Sequence, residues 1–278
     1  MKKTLFTLAV IVTAIVSYAQ DGQIYKAQEK ITEGKLMEAR ETMKGVLANP
    51  KTKKLAYAYN VAGQIELRLI SEQINKMQQG TDVDTTLFIS SLDNAVEYLT
   101  KSFEIDHTPD AKGKVKPRFD YGTKKNEYDI GEHNGNIEWM KKIVGYYLIS
   151  AQLCYNKGDN NAAYEYYMKH LELPKSPLFT KAETDSIYKS DSNYPKVGYF
   201  ATILAFKDKD YDRVLKTVDY AIQSDDETTR EDGYHMKTTS LLHKGATMDP
   251  LCVTALDALR MATYEGAKAY GFSQKGMI

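Results

Sequence analysis

The residue types that most often catalyse reactions or bind metals are scattered along this sequence. Its five histidines are His107, His133, His170, His235 and His243. None of them forms an H-E-x-x-H motif, and the two cysteines, Cys154 and Cys252, do not form a C-x-x-C pair. Glu132 and His133 are adjacent, but such an isolated pair in a glycine-rich segment is more typical of a solvated loop. The sequence therefore predicts no metal ion and no cofactor.

Motifs that bind phosphate or calcium, or that hold a nucleophile, are not present either. The sequence has no G-x-S-x-G elbow and no glycine-rich loop followed by lysine and serine or threonine. The run Ser224 to Glu227 is acidic, but it lacks the aspartate spacing and the distal glutamate of an EF-hand loop. Carboxylates stabilise the positive end of a following helix, so we interpret this run as a capped turn. We predict that the protein is not an enzyme.

One segment, residues 107–135, mixes aromatic and basic side chains with two prolines and four glycines. An irregular insertion of this length in a helical domain is either functional or mobile. Phe119, Tyr121 and Tyr128, among several lysines, would suit an anionic ligand by stacking and charge pairing. In the alternative interpretation, which the sequence favours, the segment is a solvated loop whose aromatic rings pack back onto the helices.

Apolar residues recur at helical spacing in most of the chain. This periodicity predicts helices at 22–33, 36–48, 53–79, 86–106, 137–157, 161–172, 180–188, 195–207, 211–223, 228–243 and 250–269. We expect Thr85 or Thr86 to cap the fourth helix and Asp210 to cap the helix at 211–223. Thr180 and Glu183 form a predicted capping box. No alternating strand interrupts the series, so the predicted fold class is all-α.

The N-terminus has the pattern of a secretory signal peptide. Lys2-Lys3 precedes an apolar run of 12 residues from Leu5 to Val16, and Ser17-Tyr18-Ala19 places small residues before a cleavage site. The run is too short for a membrane-spanning helix, which needs roughly 20 residues. We predict that residues 1–19 are removed on export, leaving a periplasmic or extracellular chain without stable membrane insertion. An uncleaved anchor or a buried N-terminal helix is the alternative.

Charge and cysteine content narrow the class of protein further. The 37 basic residues balance the 37 acidic ones, whereas nucleic-acid binding requires a basic excess on one face. We therefore predict no nucleic-acid partner.

Two cysteines are too few for disulfide bonds to be the framework of the fold. Cys154 and Cys252 either pair in an oxidising compartment or are both buried as small apolar groups, and the sequence favours burial.

The helix pairs share an arrangement of small and bulky residues. In the segment Tyr147 to Leu173, YLISAQLCYNKGDNNAAYEYYMKHLEL, Ala151 is small in the first helix, Gly158-Asp159 forms the turn, and Ala163 is small in the second helix. His170 departs from the pattern, since it stands where a small alanine is usual.

The first helix pair repeats this arrangement with Ala27, Gly34 and Ala39, and a further pair departs from it at Lys209, which replaces the turn glycine. On these residues the chain resembles the tetratricopeptide repeat family. The resemblance implies one repeat domain over residues 20–278, folded as a right-handed α-solenoid of helix-turn-helix pairs and carrying the insertion at 107–135.

The resemblance also implies a function, that of a non-catalytic interaction scaffold or adaptor of the bacterial cell envelope. Such a protein holds a peptide or protein in a concave groove lined by the first helix of each pair. The predicted groove residues are Gln28, Tyr57, Asn60, Gln64, Arg68, Gln152, Tyr155, Asn156, Lys196, Tyr199 and Lys207. The family's clamp for a C-terminal carboxylate uses lysine and asparagine at places where this chain has Ile24 and Gln28, so we do not transfer that mode.

A second interpretation is a surface glycan or small-ligand binding protein. It would use Trp139, the many tyrosines and the basic segment 112–125. Rings that are stacked and exposed in a groove would favour this interpretation, and buried rings would remove it.

Overall fold

The computed structural model describes residues 22–117, 135–190 and 193–246. In these ranges all regular structure is helical and no residue lies in a strand, which confirms the predicted all-α class. Several predictions concern residues outside the described ranges. These are the signal peptide, the helix at 250–269, the Glu132-His133 pair, Cys252, and the aromatic residues Phe119, Tyr121 and Tyr128.

The helices of the described ranges agree with the predicted ones to within one turn. Helix α1 covers residues 22–32. The next are α2 at Leu36–Leu47, α3 at Leu55–Gln78, α4 at Thr85–Asp106, α5 at Asn136–Asn156 and α6 at Asn160–Glu172. After a 3-10 turn at Leu173–Lys175 come α7 at Lys181–Ser190, α8 at Tyr194–Lys207, α9 at Tyr211–Ile222 and α10 at Glu227–Ala246.

Side-chain caps fix where several of these helices begin. Asp210 accepts a hydrogen bond from the Arg213 N–H at the start of α9, as predicted. The predicted capping box is confirmed before α7, where the Thr180 N–H donates to the Glu183 carboxylate at 2.9 Å. The expected threonine cap of α4 is wrong: Asp84 is the cap and accepts from the Leu87 N–H at 2.9 Å. Its carboxylate lies one residue before the first helical residue, where a cap belongs.

The tight turns between paired helices share one backbone geometry. Gly34 after α1 and Gly158 after α5 are left-handed, with φ of 75° and 78°. Lys209 after α8 takes the same conformation, with φ of 57°, although a Cβ makes that conformation costly by roughly 1–2 kcal/mol. The Asp210 N–H donates to the Ala205 carbonyl at 2.9 Å, which is the closing bond of a Schellman turn. The turn after α8 therefore keeps the same backbone conformation although lysine stands in place of glycine.

The chain divides into two compact units, with the boundary inside α5. Unit 1 contains the described residues up to Ser150 together with Pro177–Phe179, and unit 2 contains Ala151–Ser176 and the described residues from Thr180 onward. In each unit, helices pack against their neighbours in the sequence. That the two units form the single repeat domain implied by the resemblance stays a prediction.

One core cluster of unit 1 is built from the apolar faces of α1, α2 and α3, and α4 adds buried side chains such as Phe88, Leu92 and Leu99. It includes Ile24, Ala27, Ile31, Ala39, Met43, Val61, Ile65 and Leu69, all buried. One charged pair lies within this packing: the Arg40 guanidinium donates to the Glu66 carboxylate at 2.9 Å, and the side chain of Glu66 is 2% exposed. Burial raises the pKa of Glu66, while the Arg40 charge opposes that rise.

Unit 2 is held together by close contact of its central helices. Helix α8 packs on α6 and α9, and α10 packs on α9. Gly198 on α8 lies so near α9 that a Cβ there would be 2.2 Å from the Cβ of Tyr220. A hydrogen bond of 2.8 Å from Thr202 to Thr217 crosses the same interface. This contact fixes the orientation of α8, whose other side carries part of the candidate site.

His170, the departure from the repeat pattern, is accommodated in the interior of unit 2. Its ring is fully buried and stacks on Tyr194 at the start of α8, with 4.8 Å between ring centroids. A ring therefore packs between helices at a position where the resemblance implied a small residue. Cys154 is also buried, in agreement with the favoured interpretation of that cysteine, and burial raises the pKa of its thiol.

Candidate functional site

The predicted groove residues of unit 1 lie mostly in its interior. Gln28 is 8% exposed, Tyr57 and Gln64 are each 2% exposed, and Asn60 is fully buried. Of this group Arg68 alone is exposed. The expectation that the other four present their side chains to a partner is therefore wrong for the conformation described. They contribute instead to the interior packing of this unit.

Hydrogen bonds explain why these polar groups are tolerated inside unit 1. The Gln64 amide donates to the Asn60 carbonyl oxygen at 2.7 Å, and the Asn60 amide donates to that of Asn136 at 3.0 Å. The Asn136 amide donates to the Ser102 hydroxyl at 3.0 Å, and that hydroxyl donates to the backbone carbonyl of Ala56. Buried polar groups are stable when they are paired in this way. The network joins the start of α5 to α3 and α4.

The predicted groove residues of unit 2 lie at its surface, and three of them line one cleft. Gln152 and Tyr155 come from the last turns of α5, and Lys207 from the end of α8. The cleft has a volume of about 250 Å³. Its remaining lining residues are Tyr167 on α6 and Phe200, Ile203 and Leu204 on α8.

The walls of this cleft are aromatic and partly open to solvent. Tyr155 is 44% exposed and Phe200 is 50% exposed, although both are large apolar side chains. The rings of Phe200 and Tyr167 are stacked, with 6.3 Å between centroids and 27° between planes. Burial raises the pKa of Tyr167, with a further contribution from Tyr155, so its hydroxyl stays neutral at physiological pH. The walls therefore combine flat apolar surface with the neutral hydroxyl group of Tyr167.

Polar groups at the rim supply one positive charge and one amide pair. Lys207 is exposed, and it forms no ion pair with any described residue. The Gln152 amide nitrogen donates to the side-chain oxygen of Asn156 at 2.7 Å. This bond leaves the Gln152 oxygen as an acceptor and the Asn156 amide nitrogen as a donor, both on exposed residues.

The other two predicted residues of α8 do not line the cleft. Tyr199 donates a hydrogen bond to the Asp232 carboxylate on α10. Burial and this bond raise the pKa of Tyr199 to about 12. Lys196 is exposed, and its charge helps to lower the pKa of Asp226 after the larger contribution of the Thr229 hydrogen bonds. Both side chains therefore interact with the N-terminal half of α10 or the turn before it.

Four cleft residues were not among the predicted ones, namely Tyr167, Phe200, Ile203 and Leu204. The prediction carried over polar positions of the family's groove and left out apolar ones. One signal was nevertheless present in the sequence. Helix α8 reads YPKVGYFATILAFK, which is apolar on more sides than one buried face requires. Such an excess indicates that a second face has apolar surface to offer.

Two further properties of the described residues bear on the site. No three histidine, cysteine, aspartate or glutamate side chains in the described ranges come together in a way that could hold a metal ion. Among the described helices, none combines the length and the apolar character needed to cross a bilayer.

Comparisons with known proteins give little similarity. No protein-family model matches the chain. A segment of 43 residues is 46% identical to 5-methylthioadenosine/S-adenosylhomocysteine deaminase of Dictyoglomus thermophilum. That segment is 16% of this chain and spans 10% of the length of the curated relative. The structure of the yeast histone chaperone Hif1, described as a scaffold protein recruiting protein complexes to core histones, is 12% identical and covers 95% of this chain and 99% of its own, with a TM-score of 0.31.

Proposed function

We propose that this protein is a non-catalytic interaction scaffold or adaptor of the bacterial cell envelope, exported to the periplasm and folded as a right-handed α-solenoid of tetratricopeptide-like pairs. It holds a peptide or protein segment in the cleft formed by α5, α6 and α8. The helical fold, the packing of sequence neighbours and the shared turn geometry support the solenoid part of the proposal.

The observation that carries the binding function is the exposure of Tyr155 and Phe200, two aromatic residues that line one cleft. Exposed aromatic rings around a concave site are typical of the anchor points of protein interfaces, where aromatic residues are enriched. The neutral Tyr167 hydroxyl and the amides of the rim provide hydrogen-bonding groups for a peptide backbone.

A glycan or another small ligand is the second candidate, and the half-exposed rings of the cleft favour it. Aromatic faces such as that of Phe200 also suit the apolar face of a sugar ring. Trp139, which was expected to contribute, is half-buried on α5 within unit 1. The segment 118–134 lies outside the described residues. In this candidate function, the cleft of unit 2 replaces Trp139 as the site.

Site-directed photocrosslinking in the native envelope tests the proposal. Benzoylphenylalanine is incorporated in place of Phe200 and, as a matched control, in place of Leu242, which is 59% exposed on α10 and does not line the cleft. We expect protein crosslinks from position 200 that are absent from position 242. The Tyr155→Ala substitution should weaken them, because it removes one of the aromatic rings that line the cleft.

Three results would count against the scaffold. Equal crosslinks from both positions would show that the cleft is not the binding surface. If the Tyr155→Ala variant is folded and its crosslinks are unchanged, the crosslinks do not depend on the cleft. If position 200 gives no protein crosslinks while immobilised oligosaccharides retain the wild type and not Phe200→Ala, the second candidate replaces the first.

A further inference from the structure

We propose that the cleft of unit 2 recognises a peptide segment in which one bulky apolar side chain lies within two residues of an internal aspartate or glutamate. The apolar side chain enters between Tyr155, Tyr167 and Phe200, and the carboxylate pairs with Lys207. This inference rests on the proposed function and specifies the chemistry of its partner.

The size of the cleft favours a single side chain over a whole small molecule. Its volume of about 250 Å³ lies below the roughly 300–1,000 Å³ of pockets that enclose small-molecule ligands. A leucine or phenylalanine side chain can fill such a space while the peptide backbone stays at the rim. Burying a side chain of this kind contributes about 1.5–3 kcal/mol, which is enough for an anchor and too little for a complete interface.

The charge of the cleft selects the neighbour of that side chain. Among the described residues that line the cleft, Lys207 is the one that carries a charge, and none has a carboxylate. The C-terminal ends of α5 and α8 oppose an anion with a partial charge of about −0.5 each at most. Backbone hydrogen bonds already offset part of this negative partial charge, since the Gly158 and Lys209 N–H groups donate to carbonyls in the last turns of these helices. Lys207 carries a full positive charge and lines the cleft, so it decides the preference.

In the part of the chain that the structure describes, no carboxylate forms an ion pair with Lys207. Asp159 accepts from the Ala162 N–H at the start of α6, and Asp210 accepts from the Arg213 N–H at the start of α9. Arg213 also pairs with Asp210. These two aspartates are therefore engaged by the helices that they cap. Asp208, next to Lys207 in the sequence, is exposed and forms no ion pair with it among the described residues, so Lys207 remains available to a partner.

The rim also presents the groups that an internal peptide segment needs. The free oxygen of the Gln152 amide accepts a backbone N–H, and the free Asn156 nitrogen donates to a backbone carbonyl. An acceptor and a donor placed in this way can bind the backbone of an extended peptide, and this binding does not require the peptide's terminus. For this reason we assign the carboxylate to an aspartate or glutamate side chain.

An array of short peptides with acetylated and amidated ends tests the inference. Each glycine-serine peptide carries phenylalanine, leucine or serine at its centre and glutamate, glutamine or lysine at one neighbouring position. The array is probed with the purified full-length wild type, with Lys207→Glu and Phe200→Ala, and with Lys216→Glu. Lys216 is an exposed lysine on α9 that does not line the cleft, so its variant is the charge control. Circular dichroism confirms that each variant is folded.

We expect the wild type to bind peptides with phenylalanine or leucine beside glutamate about 2–5-fold more tightly than their glutamine counterparts, as for an exposed ion pair. Lys207→Glu should bind the peptides with lysine at the neighbouring position more tightly than those with glutamate. Phe200→Ala should remove the preference for phenylalanine over serine at the central position. Lys216→Glu should behave as the wild type. A reversal of charge preference is not produced by a merely structural effect of the substitution.

Other outcomes overturn the inference in distinguishable ways. Equal binding of the glutamate and glutamine peptides, with the apolar preference intact, would refute the acidic neighbour and leave the proposed function standing. Binding that needs a free C-terminal carboxylate would refute an internal segment. If no peptide binds and oligosaccharides do, both the inference and the scaffold function fail.

Discussion

At the scale of single residues, the Arg40–Glu66 pair is the most consequential polar contact in unit 1. Both side chains are largely removed from water, being 12% and 2% exposed. Removing one member leaves the other as a buried, uncompensated charge. We expect Arg40→Leu to lower the free energy of unfolding by roughly 3–5 kcal/mol near neutral pH, measured by urea denaturation followed by circular dichroism.

The pH dependence of that loss identifies its cause. Burial already raises the pKa of Glu66 above 4.5 in the folded protein, and loss of the Arg40 charge raises that pKa further. A carboxyl group with a raised folded-state pKa binds more protons in the folded than in the unfolded state, so stability falls as pH rises through that window. The loss caused by Arg40→Leu should therefore shrink as the pH is lowered toward about 5. Adding Glu66→Gln should abolish this dependence.

An exposed ion pair serves as the control for this measurement. Lys101 pairs with Glu97 at 2.5 Å, with side chains 44% and 53% exposed. Because solvent screens such a pair, Lys101→Leu should leave stability nearly unchanged at both pH values. A loss for Arg40→Leu that is the same at both pH values would assign it to packing and not to the buried charge.

Polar residues in unit 1 also show that the burial of single residues could not be predicted from the sequence. Asn60 and Gln64 were placed in a groove because they lie at the family's groove positions on a first helix. Their burial depends on Asn136, which accepts from Asn60 across 76 positions of sequence. Local spacing cannot show that a distant residue will supply a buried hydrogen-bond partner. An amide side chain without such a partner is expected to be exposed, because burying an unpaired polar group costs free energy.

At the scale of helices, the close approach of α8 and α9 positions the candidate site. A Cβ at Gly198 would overlap Tyr220, so Gly198→Ala must push the helices apart or distort the ring. We expect a loss of about 1–3 kcal/mol in the free energy of unfolding, as for other overpacked cores. Binding at the cleft should weaken as well, because Phe200 and Lys207 are on the same helix. Chemical denaturation and the peptide array measure the two effects.

Gly145 on α5 is the matched control for this substitution. It is exposed, and a Cβ there would meet nothing within 4 Å. Alanine has the higher helix propensity, so Gly145→Ala should stabilise the protein by about 0.5–1 kcal/mol. If both substitutions stabilise, the interface between α8 and α9 is looser than the structure shows, and it does not set the position of the cleft.

Helix boundaries were predictable because they depend mostly on local chemistry. Asp210 and the Thr180–Glu183 box lie within three residues of the groups that they cap. The cap of α4 was missed because Asp84 and Thr85 are adjacent and both are competent caps, so the spacing alone did not choose between them. The cleft could not be predicted in this way. Its walls come from α5, α6 and α8, and their relative positions depend on packing.

At the scale of the whole molecule, helices in both units end in turns of one backbone conformation, which is compatible with the proposed repetition of a single structural element. The left-handed turns at Gly34, Gly158 and Lys209 are far apart in the sequence and have the same conformation. Left-handed ends of this kind are common among helices, and Gly80 after α3 has one as well, so the turns are compatible with the proposed repeat architecture. The proposed function requires that the chain reaches the cell envelope, and it therefore depends on the predicted export.

The export prediction is testable on the intact protein. Lys2-Lys3, the apolar run to Val16 and the small residues Ser17 and Ala19 predict cleavage before Gln20. Mass spectrometry of the protein recovered from the periplasm should give Gln20, or its cyclised form, as the first residue. Ala19→Arg should block cleavage, because a large charged side chain does not fit where signal processing requires a small one.

A matched change outside the cleavage site isolates this effect. Lys26→Arg, on exposed surface in α1, should leave both cleavage and location unchanged. Uncleaved wild-type protein found in the membrane fraction would replace the predicted signal peptide with an N-terminal anchor. Uncleaved protein in the cytoplasm would remove the envelope partner from the proposal, while the binding chemistry of the cleft would remain to be tested against cytoplasmic peptides. The location of the chain and the chemistry of its cleft are thus separable properties, and each has its own experiment.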